Sequence, residues 1–426
     1  MNNPPVSNSA SSIQVGRPIS LLPPPAARRK LDLPLFSSVP LLFLVLAKPL
    51  TDAFYEVGAV KYGYILLLGL ASLFARYGMA FQGVATDPRN KSLLAYIGLI
   101  ALYFFFLFGL AVTYGGPPSE IFKIISPFVF FVLVAYAADR WMIYALAAGA
   151  VLTICVNAAL LPFDFGWIQW GSVHTFKGYY FFKTDLAYAL CFATVIYALY
   201  SRNTITAVLA LLMAMAAVQI ILSNSRLNYF TFLIALIFIA FKGGISIRMI
   251  IRFGLLFGGL ALIVMLVYDP TKLLGFDTSN ERAFTQGRSD IWTNLIIGIT
   301  NFSPLEWLFG RGLSGDIVLA AENSLPGEDI HNAHNEMLHL LTTQGIFGLI
   351  FYMVLWIKMF RMSHSPDMPK WARGTGTVAL LLFILQGLTT VVSLFATKTW
   401  PLVMVLLALR GLSSATDQHK QLGSPS

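Results

Sequence analysis

Charged residues and cysteine are both scarce in this chain. Only 12% of its 426 residues are charged, against about 25% in a typical soluble domain. Its two cysteines, Cys155 and Cys191, lie within apolar runs, which argues against a disulfide framework and a cysteine-based metal site. The net charge of +9 is distributed among many short segments and does not indicate a nucleic-acid partner.

Hydrophobic residues make up 57% of the chain and occur in runs of membrane length. A bilayer core of about 30 Å needs ~20 apolar residues per helix. We therefore predict an all-α polytopic membrane protein with about twelve transmembrane helices. The expected spans are 34–51, 62–75, 93–113, 121–138, 141–161, 184–200, 205–222, 227–241, 250–268, 336–360, 374–393 and 396–412.

Basic residues predict the orientation of these spans. Residues 1–33, rich in proline and serine, form an expected disordered cytoplasmic tail without a cleavable signal peptide. With this tail inside, most Lys and Arg residues fall in cytoplasmic segments. The predicted order is then helices 1–9 over 34–268, a long periplasmic loop over 269–335, helices 10–12 over 336–412 and a cytoplasmic tail over 413–426.

Some basic residues fall on the external loops, where topology disfavours them. These are Lys177, Lys183, Arg226, Lys272, Arg282, Arg288 and Arg311. We expect an anionic partner on that face, although ordinary solvated Lys and Arg side chains are an alternative. Arg226 lies at the external end of an apolar run. Its planar guanidinium suits a phosphate; alternatively, the side chain extends to the membrane interface as an anchor. Lys183 opposes a helix dipole and either pairs with Asp185 or contributes to an anion site.

The loop 269–335 is too long to lack a role. Ser289 and Asp290 can cap a helix that begins near Ile291. Gly310, Arg311 and Gly312 indicate a tight turn that presents one guanidinium. We expect short amphipathic helices on the membrane surface.

The stretch HNAHNEMLHLLTTQGIFG, residues 331–348, follows this loop. If a helix begins near His334, then His334, Leu338, Leu341, Gly345 and Gly348 share one face. The two glycines then allow a neighbouring helix to approach. His334 has the right chemistry for a general base or for orienting a substrate. A packing role is one alternative. A zinc site from His331, His334, His339 and Glu336 is another, but its spacing lacks the usual i, i+4 pair.

These residues resemble the O-antigen ligase and Wzy-type polysaccharide polymerase family. Its motif is His, a small polar residue, nine residues, Gly, two residues and Gly, which His334-Asn335 and Gly345 to Gly348 match. The segments SNSR with Arg226 and GRSDIW with Arg288 are similar to its external loop patterns. FKGYYFFKTDLA resembles the exopolysaccharide polymerase branch, but has Phe182-Lys183-Thr184 where the family usually has His-Lys-Asn.

The resemblance implies an inverting, metal-independent membrane glycosyltransferase of the C type, without a cofactor, in the bacterial inner membrane with both termini cytoplasmic. Its donor is a glycan on undecaprenyl diphosphate, and its acceptor is another glycan or lipid A–core. A flippase and a chain-length regulator are expected partners, besides the lipid bilayer. His334 and Arg226 are the catalytic candidates. The substrate-binding candidates are Arg288, Arg311, Lys183, Asn335 and Glu336.

Within the family, the lysine segment favours an exopolysaccharide or O-antigen polymerase over a ligase. Two other classes remain open. A transporter often has twelve spans, but it usually places its polar site at the bilayer midplane within repeated halves, and this chain has no evident repeat. A non-catalytic subunit of polysaccharide export would leave the arginines and histidine without a catalytic role.

Overall fold

The computed structural model describes residues 33–51, 54, 57–80, 89–116, 141–170, 173–242, 288–323, 333–366, 368–391 and 401–409. Helix makes up 77% of the structure and strand 3%, which confirms the all-α class. The helices are α1 Leu33–Thr51, α2 Gly58–Ala80, α3 Arg89–Thr113, α4 Met142–Ala159, α5 Lys183–Tyr200, α6 Ala207–Leu222, α7 Arg226–Lys242, α8 Arg288–Thr300, α9 Pro304–Phe309, α10 Gly315–Asn323, α11 Glu336–Ser363, α12 Thr375–Gly387 and α13 401–409.

Each predicted span that falls on described residues overlaps one of these helices, although α12 ends at Gly387, within the expected span 374–393. The expected spans 121–138 and 250–268 and the two predicted tails, apart from Leu33, lie outside the described residues. Two of the described helices, Met142–Ala159 and Glu336–Ser363, are by themselves long and apolar enough to cross a membrane. The count of twelve therefore stays a prediction.

Helix α5 lies at the centre of the main hydrophobic core. From Asp185 to Ile196 its residues are all buried, as expected for a helix that is apolar on every side. Helices α4, α6 and α7 pack against it. Its most enclosed large side chains are Tyr188, Phe192 and Leu190. This arrangement fixes the first residue of α5 relative to the first residue of α7.

A short antiparallel hairpin precedes α5. Its strands, Trp167–Trp170 and Val173–Phe176, pair Trp167 with Phe176. The backbone N–H of Tyr179 donates to Asn157 Oδ1 over 3.0 Å. This bond attaches the segment before Lys183 to α4.

The loop helices α8 and α10 form a second core with α3 and the start of α11. Leu295 and Leu319 are buried there against Leu107 of α3. The expectation of short helices within the long loop is confirmed over the described residues 288–323. Helix α8 begins at Arg288 rather than near Ile291, however, so Asp290 lies in its first turn.

Large apolar side chains cover much of the outer surface. Phe105 is 77% exposed, Leu102 69% and Phe43 65%. Soluble monomers rarely expose large contiguous apolar patches. The outer face of these helices therefore suits a hydrocarbon environment.

Candidate active site

The histidine motif lies at the junction between the loop and α11. Asn335 is the N-cap of α11, and its side-chain Oδ1 accepts from the backbone N–H of Met337 at 2.9 Å and of Leu338 at 3.1 Å. The amide thus satisfies N–H groups that the first turn leaves free. This cap places the first helical residue at Glu336, where the expected span 336–360 begins, so His334 itself lies just outside the helix.

His334 has a backbone conformation of its own. Its φ is +45°, in the left-handed region that non-glycine residues seldom occupy. The half-buried imidazole therefore stands before the helix and not on the stripe that was predicted to include Leu338 and Gly345. Such conformations persist only where the surrounding structure determines them.

Hydrogen bonds from two loop helices hold Ala333, the residue before His334. Its N–H donates to Asp316 Oδ2 of α10 at 3.0 Å. Its carbonyl accepts from the indole Nε1–H of Trp292 of α8 at 2.8 Å. Both backbone polar groups of Ala333 are thus bound by side chains from outside its own segment.

Asp316 also pairs with His339, which lies in the first turns of α11. The His339 Nδ1 is 2.9 Å from Asp316 Oδ2, and each side chain is 1% exposed. Burial opposes ionisation of Asp316. The charge and hydrogen bond of His339 and the N–H groups of Ala333 and Ile317 outweigh it and lower the pKa of the carboxyl below its usual value.

Lys183 and Arg226 are the first residues of α5 and α7. Lys183 lies just before the expected span 184–200. Burial, followed by repulsion from the Arg226 charge, lowers the pKa of Lys183 to about 8. The Asn228 side chain of α7 reaches the Thr184 carbonyl of α5 at 3.5 Å, so the two helix starts are adjacent, although 43 positions separate Lys183 from Arg226 in sequence.

A buried asparagine joins the same two helix ends. Asn228 Nδ2 donates to Ser225 Oγ at 2.8 Å and reaches the Thr184 carbonyl at 3.5 Å. Its Oδ1 accepts from the hydroxyl of Thr231 at 3.2 Å. Asn228 therefore keeps the start of α7 in register with the start of α5.

Glu336 connects this region with the histidine motif. Its side chain is buried, with the residue 1% exposed, and its charge acts on Tyr188 of α5. The start of α11 therefore lies within electrostatic range of the first turns of α5. The sequence-based candidates Lys183, Arg226 and Glu336 thus belong to one region of the fold.

Arg288 is the third candidate cation that begins a helix. It is the first residue of α8 and is half-buried, and burial lowers the pKa of its guanidinium. Such positions usually favour Asp or Glu, because the helix dipole is positive there. Lys183, Arg226 and Arg288 all depart from that preference.

Arg311 is bound within the loop. Its Nε donates to Glu306 Oε1 at 2.7 Å, and its Nη1 pairs with Glu322. Its guanidinium carbon also lies 5.4 Å from the centre of the Phe302 ring. Two carboxylates thus neutralise a side chain that was predicted to bind substrate.

Glycines bring the turn after α9 against α11. A Cβ on Gly310 would lie 2.5 Å from the Thr343 carbonyl carbon, and one on Gly345 would lie 2.4 Å from that of Leu308. Gly345 has φ +63° and ψ −162°, which kinks α11. The expected close approach at Gly345 is present, but a Cβ on Gly348 would instead meet the Gln344 side chain of α11 itself.

Sequence reasoning missed Asp316 and Asn228. An acidic residue directly after the Gly310 to Gly315 turn was a signal for Asp316, whereas Asn228 had none beyond a polar residue in an apolar run. The described residues contain no group of three His, Cys, Asp or Glu side chains arranged to hold a metal ion. His331, from the zinc alternative, lies outside the described residues.

Comparison with known proteins bears on the same region. The family model described as O-antigen ligase matches residues 211–353. The match contains Arg226, Arg288, Arg311 and the His334 motif, but not Lys183. A comparison with curated proteins gave no match. Residues 211–353 thus match the O-antigen ligase family model, a match consistent with a membrane protein of the O-antigen ligase and Wzy-type family.

Proposed function

We propose that the protein is a glycosyltransferase that polymerises oligosaccharide repeats linked to undecaprenyl diphosphate. The product is an exopolysaccharide or O-antigen made on the periplasmic face of the bacterial inner membrane. The observation on which this proposal rests is the contact between the starts of α5 and α7, whose first residues are Lys183 and Arg226. The family match over residues 211–353 supports the same chemistry.

Two helix starts with two neighbouring cations suit a diphosphate. The positive end of the helix dipole favours an anion at each start. The Lys183 ammonium and the Arg226 guanidinium add full charges, and the guanidinium can donate two parallel hydrogen bonds. They stabilise negative charge as it develops on the departing lipid diphosphate. Arg288 extends this positive field from the loop.

The reaction is a displacement at the anomeric carbon. An acceptor hydroxyl oxygen forms the new bond to that carbon with inversion, and the bond to the diphosphate oxygen breaks. His334 orients the hydroxyl and takes up its proton. The lipid diphosphate leaves with the bonding electron pair.

The other predicted site residues take supporting parts. Asn335 caps α11 and so fixes the position of the neighbouring His334 relative to the start of that helix. Glu336 is buried between α11 and α5. Arg311 stabilises the loop through its two glutamates. We therefore assign substrate contact to His334, Arg226, Lys183 and Arg288.

The membrane arrangement completes the proposal. About twelve helices span the bilayer, both termini are cytoplasmic and residues 269–335 are periplasmic. The apolar outer face, with Phe105 77% exposed, supports a lipid surround. A flippase would supply the donor, and a chain-length regulator would act on the product.

Reconstitution in proteoliposomes tests the function. We would supply a short glycan on undecaprenyl diphosphate, with EDTA, and separate lipid-linked products by gel. A ladder of products that survives EDTA, disappears in Arg226→Ala and persists in Arg361→Ala supports a metal-independent polymerase. Arg361 is an exposed arginine near the other end of α11 and serves as the matched control.

Other outcomes point to the alternatives. Transfer only after lipid A–core is added identifies a ligase. A ladder lost with EDTA contradicts the metal-independent mechanism. An unchanged ladder in both Arg226→Ala and His334→Ala contradicts the assigned site. Absence of transfer with either acceptor, while the lipid-linked glycan still binds, favours a transporter or a non-catalytic export subunit.

A further inference from the structure

Asp316 and Trp292 hold the residue before His334 from opposite sides. Asp316 accepts from the Ala333 N–H at 3.0 Å, and Trp292 donates to the Ala333 carbonyl at 2.8 Å. We propose that these two side chains are positioning residues, which fix the left-handed backbone of His334 and so aim its imidazole. This inference rests on the proposed role of His334.

Restraining the backbone of Ala333 also restrains the backbone of His334. The Cα of Ala333 is joined to His334 by a single planar peptide unit, so fixing both polar groups of Ala333 fixes the direction in which the chain enters His334. On the other side, the Asn335 amide locks the start of α11. A φ of +45° is unfavourable for histidine, and these restraints hold the residue there.

The Asp316 carboxylate is itself held by the helix that follows. The pairing of His339 Nδ1 with Asp316 Oδ2 at 2.9 Å joins α10 to α11 within a region where both side chains are 1% exposed. Burying a carboxylate is costly unless it is paired and hydrogen-bonded. The Oδ2 atom of Asp316 meets that requirement by binding Ala333 and His339 together. The same oxygen thus connects the start of α11 with the residue that precedes the candidate base.

Trp292 also restrains the backbone of Ala333, through a neutral indole N–H instead of a buried charge. It is half-buried on α8, whose first residue is Arg288. The bond from its indole therefore connects the helix that begins at Arg288 with the chain that leads into His334. A shift of α8 would move both groups.

The first test is the reactivity of His334, which needs no turnover. Purified full-length protein would be treated with diethyl pyrocarbonate, and carbethoxylation of each histidine followed by peptide mass spectrometry. We expect Trp292→Phe, which keeps the ring but loses the N–H, and Asp316→Asn to accelerate labelling of His334 several-fold. The exposed His174 and His364 are internal controls and should label at unchanged rates.

The second test separates positioning from binding. In Trp292→Phe and Asp316→Asn we expect turnover to fall roughly 10- to 100-fold, because a small misplacement of a catalytic group has that effect. Donor affinity should stay within about twofold of wild type. In a His334→Ala background the same changes should add little, because they act through a side chain that is no longer present. Matched controls are Trp307→Phe and Asp164→Asn. These change an exposed tryptophan and an exposed aspartate that do not bind Ala333.

Several results would overturn the proposal. Unchanged His334 labelling in Trp292→Phe is one, and this variant is available even if Asp316→Asn does not fold. Equal losses of turnover with and without the His334 imidazole would assign both residues to general stability. If the wild-type protein has no transferase activity, the proposed function fails, but the labelling result still decides whether Asp316 and Trp292 position His334.

Discussion

Gly345 is a position where an added methyl group should be strongly destabilising. Its φ of +63° with ψ of −162° lies in a region that is essentially restricted to glycine, and a non-glycine residue there costs about 1–3 kcal/mol. A Cβ would also lie 2.4 Å from the Leu308 carbonyl carbon and 2.5 Å from the Phe309 nitrogen. These are backbone atoms that cannot rotate away, and such overpacking costs about 1–3 kcal/mol more.

The sum, roughly 2–6 kcal/mol, is large beside a folding free energy of about 5–15 kcal/mol. We expect Gly345→Ala to lower the apparent unfolding temperature in detergent by on the order of 10 °C, measured by circular dichroism. The control is Gly109→Ala on α3, where an added Cβ meets nothing within 4 Å. Because alanine favours a helix by about 1 kcal/mol over glycine, this control should unfold no earlier than wild type. Equal unfolding temperatures for the two variants would refute the reasoning.

Three further predictions concern the candidate site. Arg226→Lys keeps the charge but loses the bidentate fork, so donor affinity in a titration should fall by about tenfold, whereas Arg361→Lys should match wild type. Burial and then repulsion from Arg226 lower the pKa of Lys183 to about 8, so the ammonium is lost as pH rises through that value. A pH profile of kcat/KM for the donor should therefore fall above it in wild type, and a profile of Lys183→Arg that falls in the same range would assign the titration elsewhere. Arg311→Ala leaves two glutamates unpaired and should cost about 2 kcal/mol of unfolding free energy, while donor affinity stays unchanged; weaker donor binding would restore Arg311 to the substrate site.

The helices of this protein could largely be predicted from its sequence. Apolar runs such as 141–161 and 336–360 coincide with α4 and α11, because an apolar segment of that length forms a helix wherever it is buried or in lipid. The resemblance to the O-antigen ligase family likewise followed from short segments of the sequence, chiefly the His334 motif. These features depend on residues that are close together in the chain.

The left-handed backbone conformation of His334 was not predictable in the same way. His334 and Glu336 are both compatible with a first helical turn. The Asn335 cap and the hydrogen bonds of Ala333 to Trp292 and Asp316 select the left-handed conformation of His334. Two of these partners come from distant parts of the loop.

Tertiary structure also decided which cations remain candidates for substrate binding. In the sequence, Lys183, Arg226 and Arg311 are equivalent basic residues on segments that are predicted to be external. Folding brings the helix starts that carry Lys183 and Arg226 together and gives Arg311 two glutamate partners. Local sequence determined where helices form, because hydrophobic periodicity and length act within one segment. Only the packing of α5, α7 and the loop helices decided which charges meet, because electrostatic pairing depends on distances in space that the order of residues does not specify.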